Sequence, residues 1–166
     1  KKYGTSLAGL MQNYEIDPND FLKVVHDIDF SVLPKDLDLL DALNNLPGRK
    51  LVYTNWTVPY AREVLKYRGL LSVFNEIYGI EDAGYIPKPF PEAFEIIFSK
   101  AKIVPNSSAM FEDEERNLVV PFRLGLKTIL VSDMKSNEKY VNYSIKHLSD
   151  FLRQITSNPF KLKNLI

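Results

Sequence analysis

Three short stretches of this chain carry residue types that can handle a phosphorylated ligand. Thr54-Asn55 offers a hydroxyl and an amide, Lys88 stands between Pro87 and Pro89, and Glu112-Asp113 opens a run that continues through Glu114, Glu115, Arg116 and Asn117. Adjacent carboxylates suit Mg²⁺, a hard cation that takes one or two carboxylate ligands and keeps several waters. A lone ammonium with hydroxyl and amide donors suits the oxygens of a phosphoryl group, whose transfer depends mostly on positioning and charge neutralisation. Each stretch also has an ordinary explanation. Thr and Asn cap helices, a loop lysine is usually solvated, and acidic residues gather at helix starts because the macrodipole favours them. Their order and their placement at three successive strand ends favour the shared ligand over three separate accidents.

The elements that must position these residues can be read from apolar spacing. Leu7, Leu10, Met11 and Tyr14 recur at helical intervals, with Thr5 or Ser6 available as N-cap. Asp17-Pro18-Asn19-Asp20 starts a second helix with Phe21, Leu22, Val24, Val25 and Ile28 on one face, and a third carries Leu39, Leu40, Leu43 and Leu46 before Pro47-Gly48. Strands then alternate with helices. Strands are expected at 50–53, 75–80, 109–111 and 127–131, with helices at 59–67, 91–101, 118–124 and 148–155. Pro121 is compatible with its helix only in the first turn, where an N–H has no acceptor within the helix. Such alternation predicts an α/β fold whose mainly parallel sheet is covered by helices on both faces. In open parallel sheets ligands lie beyond the carboxyl ends of the strands, where all three stretches fall.

Composition narrows the classes of function. Twenty-one Lys and Arg balance 21 Asp and Glu, so nothing in the overall charge argues for a nucleic-acid polymer or a membrane surface as partner. There is no cysteine, which removes disulfides and thiolate metal sites. No apolar run reaches the length of a membrane span, and a cytoplasmic location is the expectation. The two histidines, His26 and His147, stand far apart and outside any metal-binding spacing, so each is read as a capping or surface residue. P-loop, dinucleotide-binding and nucleophile-elbow patterns are absent. Lys161 and Lys163 belong to a polar tail at 157–166 that makes no basic patch.

Leu51-Val52-Tyr53-Thr54-Asn55, Tyr85-Ile86-Pro87-Lys88-Pro89-Phe90-Pro91-Glu92 and Met110-Phe111-Glu112-Asp113-Glu114-Glu115-Arg116-Asn117 resemble, in order, motifs II, III and IV of the haloacid dehalogenase (HAD)-type hydrolases. Tyr3-Gly4-Thr5-Ser6-Leu7, His26-Asp27-Ile28-Asp29-Phe30-Ser31, Leu46-Pro47-Gly48-Arg49-Lys50 and Leu124-Gly125-Leu126-Lys127-Thr128 are similar to the pyrimidine 5'-nucleotidase branch. The resemblance implies a Rossmann-like core at 34–156, the remnant of a helical cap at 1–33, and a Mg²⁺-dependent phosphatase of small phosphates such as UMP or CMP. It implies that Thr54, Asn55 and Lys88 bind the phosphoryl group, with Lys88 the catalytic member. It also implies that Asp113 binds Mg²⁺ directly and Glu112 directly or through water.

The family's first motif, a strand ending in D-x-D-x-T, precedes the cap, and the cap region here begins at Lys1. The expectation is therefore that the attacking aspartate lies upstream, in a protein supplied incomplete or naturally truncated. The alternative is a silent HAD-like domain that binds a phosphorylated ligand or a protein partner. Asp27-Ile28-Asp29-Phe30-Ser31 also fits D-x-D-x-S. The helical spacing of 21–28, the bulk of Phe30 and the likeness of this run to the cap argue against its being the first motif. Two departures stand out. Trp56 follows Asn55 where the family usually has a small residue, so its ring narrows the site, stacks on a base or packs internally. Glu114 and Glu115 add negative charge that Lys88 and Mg²⁺ would have to offset.

Overall fold

The computed structural model describes residues 6–14 and 29–158. These form an α/β fold in which every strand pairing is parallel. In chain order the regular elements are α1 (Ser6–Asn13), α2 (Leu37–Asn45), β1 (Leu51–Tyr53), α3 (Val58–Tyr67), β2 (Glu76–Tyr78), α4 (Pro91–Lys100), β3 (Ala109–Glu112), α5 (Val119–Leu124), β4 (Lys127–Val131), β5 (Tyr143–Ile145) and α6 (Leu148–Thr156). The second expected helix lies outside the described residues. None of the described helices is long and apolar enough to cross a membrane.

The chain divides into two compact units, residues 1–37 with 49–97 and residues 38–48 with 98–166. In the first, β1 pairs with β2 in the register Leu51↔Glu76, Val52↔Ile77 and Tyr53↔Tyr78. The pairing extends one step beyond the strand, where Thr54 N–H donates to the Tyr78 carbonyl at 3.0 Å. Between these strands, α3 starts on an N-cap whose side chain accepts from Tyr60 N–H, and that residue is Thr57. Pro59 stands in the first turn, where a residue without N–H costs least. The buried side chains of this unit include Ala61, Leu70, Ile80, Ala83, Ala93, Phe94 and Ile97.

The second unit holds a three-stranded sheet in the order β3-β4-β5, with Ala109 to Glu112 aligned on Lys127 to Leu130. Ile129, Leu130, Leu118, Leu152 and Ile155 are buried there. Helix α5 is entered through a 3-10 turn at Glu115–Leu118, and Pro121 falls in its first turn as its chemistry requires. Gly125 closes it at φ +98, and a Cβ there would lie 2.7 Å from Asn106 Oδ1.

Strand β5 is absent from the apolar spacing, and a polar network explains why it forms. Thr128, fully buried in β4, donates its hydroxyl to the Tyr140 carbonyl at 2.7 Å. Its N–H donates to Asn142 Oδ1 at 2.9 Å, and Asn142 N–H donates back to the Thr128 hydroxyl oxygen at 3.2 Å. This fixes the residues before Tyr143 against β4, so three residues of modest apolarity can pair.

The turn after β2 is close-packed backbone. Gly79 N–H donates to Asp82 Oδ2 at 3.0 Å, while Glu81 Oε1 accepts the Val58 N–H at 2.8 Å and so caps α3. A Cβ on Gly79 would lie 2.6 Å from the Val58 nitrogen and would also collide with the Glu81 carboxylate. Gly79→Ala is therefore expected to destabilise the protein by about 1–3 kcal/mol, the usual cost of inserting a methyl into filled space. Urea unfolding checks this, and an unchanged midpoint would show that the turn relaxes freely.

Candidate functional site

In the first unit the geometry centres on Lys88. The preceding segment is a series of tight turns. Gly84 and Tyr85 both have left-handed backbones, at φ +65 and +63, and Tyr85 N–H returns to the Ile80 carbonyl at 2.9 Å. A left-handed tyrosine costs of order 1–3 kcal/mol and persists only where its surroundings enforce it. Three residues on, the Asn55 carboxamide holds Lys88 by its backbone. Lys88 N–H donates to Asn55 Oδ1 at 2.7 Å, and Asn55 Nδ2 donates to the Lys88 carbonyl at 3.1 Å. Pro87 and Pro89 flank a residue that therefore has its backbone bonded in both directions.

Lys88 is 5% exposed, which replaces the solvated loop lysine with a buried ammonium. A buried charge needs polar partners. Lys88 Nζ donates to the carbonyl of Tyr53, the last residue of β1, at 3.1 Å, and lies 5.1 Å from the centroid of the Tyr53 ring. That ring in turn meets the fully buried Phe94 edge-on, with centroids 5.7 Å apart. Cation, carbonyl and ring together fix the ammonium at the carboxyl end of β1, where Thr54 and Asn55 begin.

Thr54 and Asn55 are not the helix cap, since Thr57 performs that role. The Thr54 hydroxyl oxygen accepts Trp56 N–H at 3.1 Å, which leaves its own proton to donate. The Asn55 side chain is committed to Lys88, and among the described residues its backbone N–H makes no hydrogen bond. The donors grouped at the end of β1 are thus the Lys88 ammonium, the Thr54 hydroxyl and the Asn55 N–H. Sequence spacing points to Asn55, though to its amide side chain and not to its backbone.

In the second unit the acidic run after β3 separates into distinct tasks. Glu112 is buried, and its Oε1 accepts from Asn117 Nδ2 at 3.2 Å and from Glu114 N–H at 3.4 Å. Glu114 pairs with Arg116 Nε at 3.2 Å, and Glu115 Oε1 accepts the Tyr140 hydroxyl at 3.1 Å. Asp113 is exposed. The extra acidic charge of Glu114 and Glu115 is thus engaged by a cation and a phenol on the spot. Asn117, 4% exposed, keeps a buried Oδ1 with no hydrogen-bond partner among the described residues.

These donors fit Mg²⁺. The Glu112 carboxylate, the amide oxygen of Asn117 bonded to it, and the exposed carboxylate of Asp113 next in sequence are all oxygen donors, and a buried acceptor without a partner on a residue bonded to Glu112 is what a hard cation or its water would satisfy. No group of three or more His, Cys, Asp or Glu side chains able to hold a metal occurs among the described residues, so a Mg²⁺ here would rely on few carboxylates. That matches its preference for water and substrate oxygens.

The remaining candidates lie elsewhere in function. Asp29 accepts Ser31 N–H at 2.9 Å and caps a 3-10 turn at Phe30–Val32, and its bonds to Ser31 hold its carboxyl below the usual range. Asp27 and His26 lie outside the described residues. His147 is exposed at the N-cap position of α6 and makes no side-chain cap there.

Residues 9–131 match the family described as haloacid dehalogenase-like hydrolase. The chain belongs to that family. HAD-like hydrolases also supply its structural neighbours. An L-2-haloacid dehalogenase from Xanthobacter autotrophicus, with chloropropionic acid covalently bound, aligns with a TM-score of 0.66 at 13% identity, over 91% of this chain and 72% of that one. A HAD phosphatase from Thermococcus onnurineus aligns at 0.62 and 18%, over 92% and 70%. A HAD hydrolase from Bacillus subtilis bound to magnesium aligns at 0.63 and 21%, over 90% and 68%. No curated protein matches the chain in sequence. At these identities the neighbours establish the fold, and the membership makes the chain a HAD-type hydrolase.

Two measurements test the local geometry. Asn55→Ala removes both bonds to the Lys88 backbone and is expected to lower stability by about 1–3 kcal/mol, read by thermal unfolding; a wild-type midpoint would show that Lys88 is placed by other contacts. Burial first, then the bond to Glu115, holds the Tyr140 phenol above its ordinary value of about 10. A raised pKa stabilises the fold fully below pH ~10 and is lost as pH climbs through the folded value. Tyr140→Phe is expected to flatten this alkaline loss of stability in urea titrations, and an identical slope in the variant would assign the loss to other groups.

Proposed function

We propose that the protein is a Mg²⁺-dependent phosphomonoesterase acting on a small nucleoside monophosphate such as UMP or CMP. The observation that carries this is the buried Lys88 ammonium, clasped by Asn55 and bonded to the last carbonyl of β1 beside the Thr54 hydroxyl. A fixed cation with two neighbouring neutral donors suits the oxygens of a phosphoryl group better than a halide or a carbon centre. A phosphate dianion would offer Lys88 Nζ a stronger acceptor than a backbone carbonyl does.

In this reading Lys88, Thr54 and the Asn55 N–H bind and orient the phosphoryl oxygens, and Lys88 neutralises charge as it develops. Glu112 and Asp113 hold Mg²⁺, with Asn117 behind Glu112. When bound, the cation lowers the repulsion between an anionic nucleophile and an anionic phosphate. The resemblance to HAD motifs implies transfer through an aspartyl phosphate. The magnesium-bound hydrolase from Bacillus subtilis and the phosphatase from Thermococcus onnurineus lend this chemistry support by likeness of fold.

The test is phosphate release from UMP, CMP and an aryl phosphate, with and without Mg²⁺. Lys88→Ala and Asp113→Ala are each expected to lower kcat/KM by about 10²-fold or more, the loss seen when one charge-stabilising group is removed. Full turnover in either variant would overturn the assignment of that residue. Loss of turnover in Asp27→Asn would move the nucleophile into the Asp27–Ser31 segment.

A further inference from the structure

Phe90 stands two residues after Lys88, between Pro89 and Pro91, and is 39% exposed. Its backbone is tied on both sides. Its N–H donates to the Pro87 carbonyl at 3.1 Å, and its own carbonyl accepts Ala93 N–H at 3.2 Å. Two peptide units keep its Cα within about 8 Å of the Lys88 Cα, and the backbone of Lys88 is itself held by the Asn55 amide. Other rings of this unit are engaged. Tyr53 lies by the Lys88 ammonium and meets Phe94, and Trp56 stacks on Tyr60 with centroids 4.8 Å apart. Phe90 makes no ring or cation contact among the described residues.

A lone exposed phenylalanine is ordinary on a protein surface. This one occupies a position where the fold has a use for a different residue. It directly precedes α4, whose first residue is Pro91, and so stands at the N-cap. Ser, Thr, Asp or Asn there would accept a hydrogen bond from the open N–H groups of the first turn, and a phenyl ring has no oxygen to offer them. Departures from local preference gather at functional sites. The flanking prolines also fix the backbone, so the ring is presented with little freedom left to lose. We propose that Phe90 is the apolar contact for the organic part of the phosphate ester, and so favours monophosphates that carry a nucleobase or aryl ring over sugar phosphates. The proposal rests on the phosphatase reading for the anion and adds a specificity determinant beside Lys88. Two rings attract in offset or edge-on arrangements with centroids about 4.5–7 Å apart. A phenyl ring has no hydrogen-bonding group to read the edge of a base, so Phe90 does not separate UMP from CMP.

The test compares turnover of UMP, an aryl phosphate and ribose 5-phosphate by the wild-type protein, Phe90→Ser and Phe90→Tyr. Phe90→Ser installs a favoured cap, so its melting temperature is expected at or above that of the wild type. The same variant is expected to raise KM about tenfold for UMP and the aryl phosphate, with kcat little changed and ribose 5-phosphate unaffected. Phe90→Tyr, which keeps the ring, is expected to keep the wild-type kinetics on UMP. A purely structural role would not separate the two classes of ester. Equal rises of KM for UMP and ribose 5-phosphate in Phe90→Ser, or no rise for either, would overturn the contact and leave the phosphatase standing. Absence of turnover with every ester would reject the phosphatase, and calorimetry with uridine then decides the contact. Uridine binding weakened about tenfold in Phe90→Ser would retain it, and binding that is unchanged or absent would overturn it.

Discussion

The Asn55 carboxamide makes both of its hydrogen bonds to the backbone of a residue 33 positions away. A lysine on a loop would ordinarily swing into water, because an ammonium gains more from hydration than from any neutral surface. Here the backbone is held first, and the side chain has little choice. It runs inward to the last carbonyl of β1 and lies near the ring of Tyr53. The left-handed Tyr85 and the close-packed turn at Gly79 are local strains that deliver the chain to that clasp. Without the amide, both of the bonds from Asn55 to the Lys88 backbone would be lost.

The acidic segment after β3 follows a different logic. Four consecutive carboxylates would repel an anion if all were free. They are not equivalent. Glu114 and Glu115 each have a local partner, Glu112 is buried and shared between an amide and a backbone N–H, and Asp113 is left facing outward. A charge count treats these residues alike, whereas burial and partnership separate the buried Glu112 and the exposed Asp113 from two carboxylates engaged by a neighbouring cation and phenol.

The α/β class, the parallel pairing and most elements were legible because apolar residues at 51–53, 109–111 and 127–131 stand between helical repeats, and tertiary packing agrees with that local pattern. Boundaries shifted where a cap or turn decided them: β2 is Glu76–Tyr78, shorter than its apolar run, because Gly79 must turn beneath α3. Strand β5 was invisible, since its cause is a hydroxyl in another strand and an amide before it. Thr54, Asn55, Lys88, Glu112 and Asp113 stand out as candidates by residue type and strand-end placement. What residue type could not convey was how each is used. Asn55 reads as an anion donor but spends its side chain on Lys88, and Asn117 carries no signal until Glu112 is seen against it.

Parallel pairing throughout has a consequence for how the chain folds. A hairpin can begin at its turn, but no ladder here can. The first bonds of the β1–β2 ladder join positions about 25 residues apart, as Asn75 N–H to the Lys50 carbonyl and Lys50 N–H to Asn75 Oδ1 show. Closure of that loop must come before any reward from the sheet. Helix α3 lies within that loop, so its local contacts shorten the stretch of chain that closure must order.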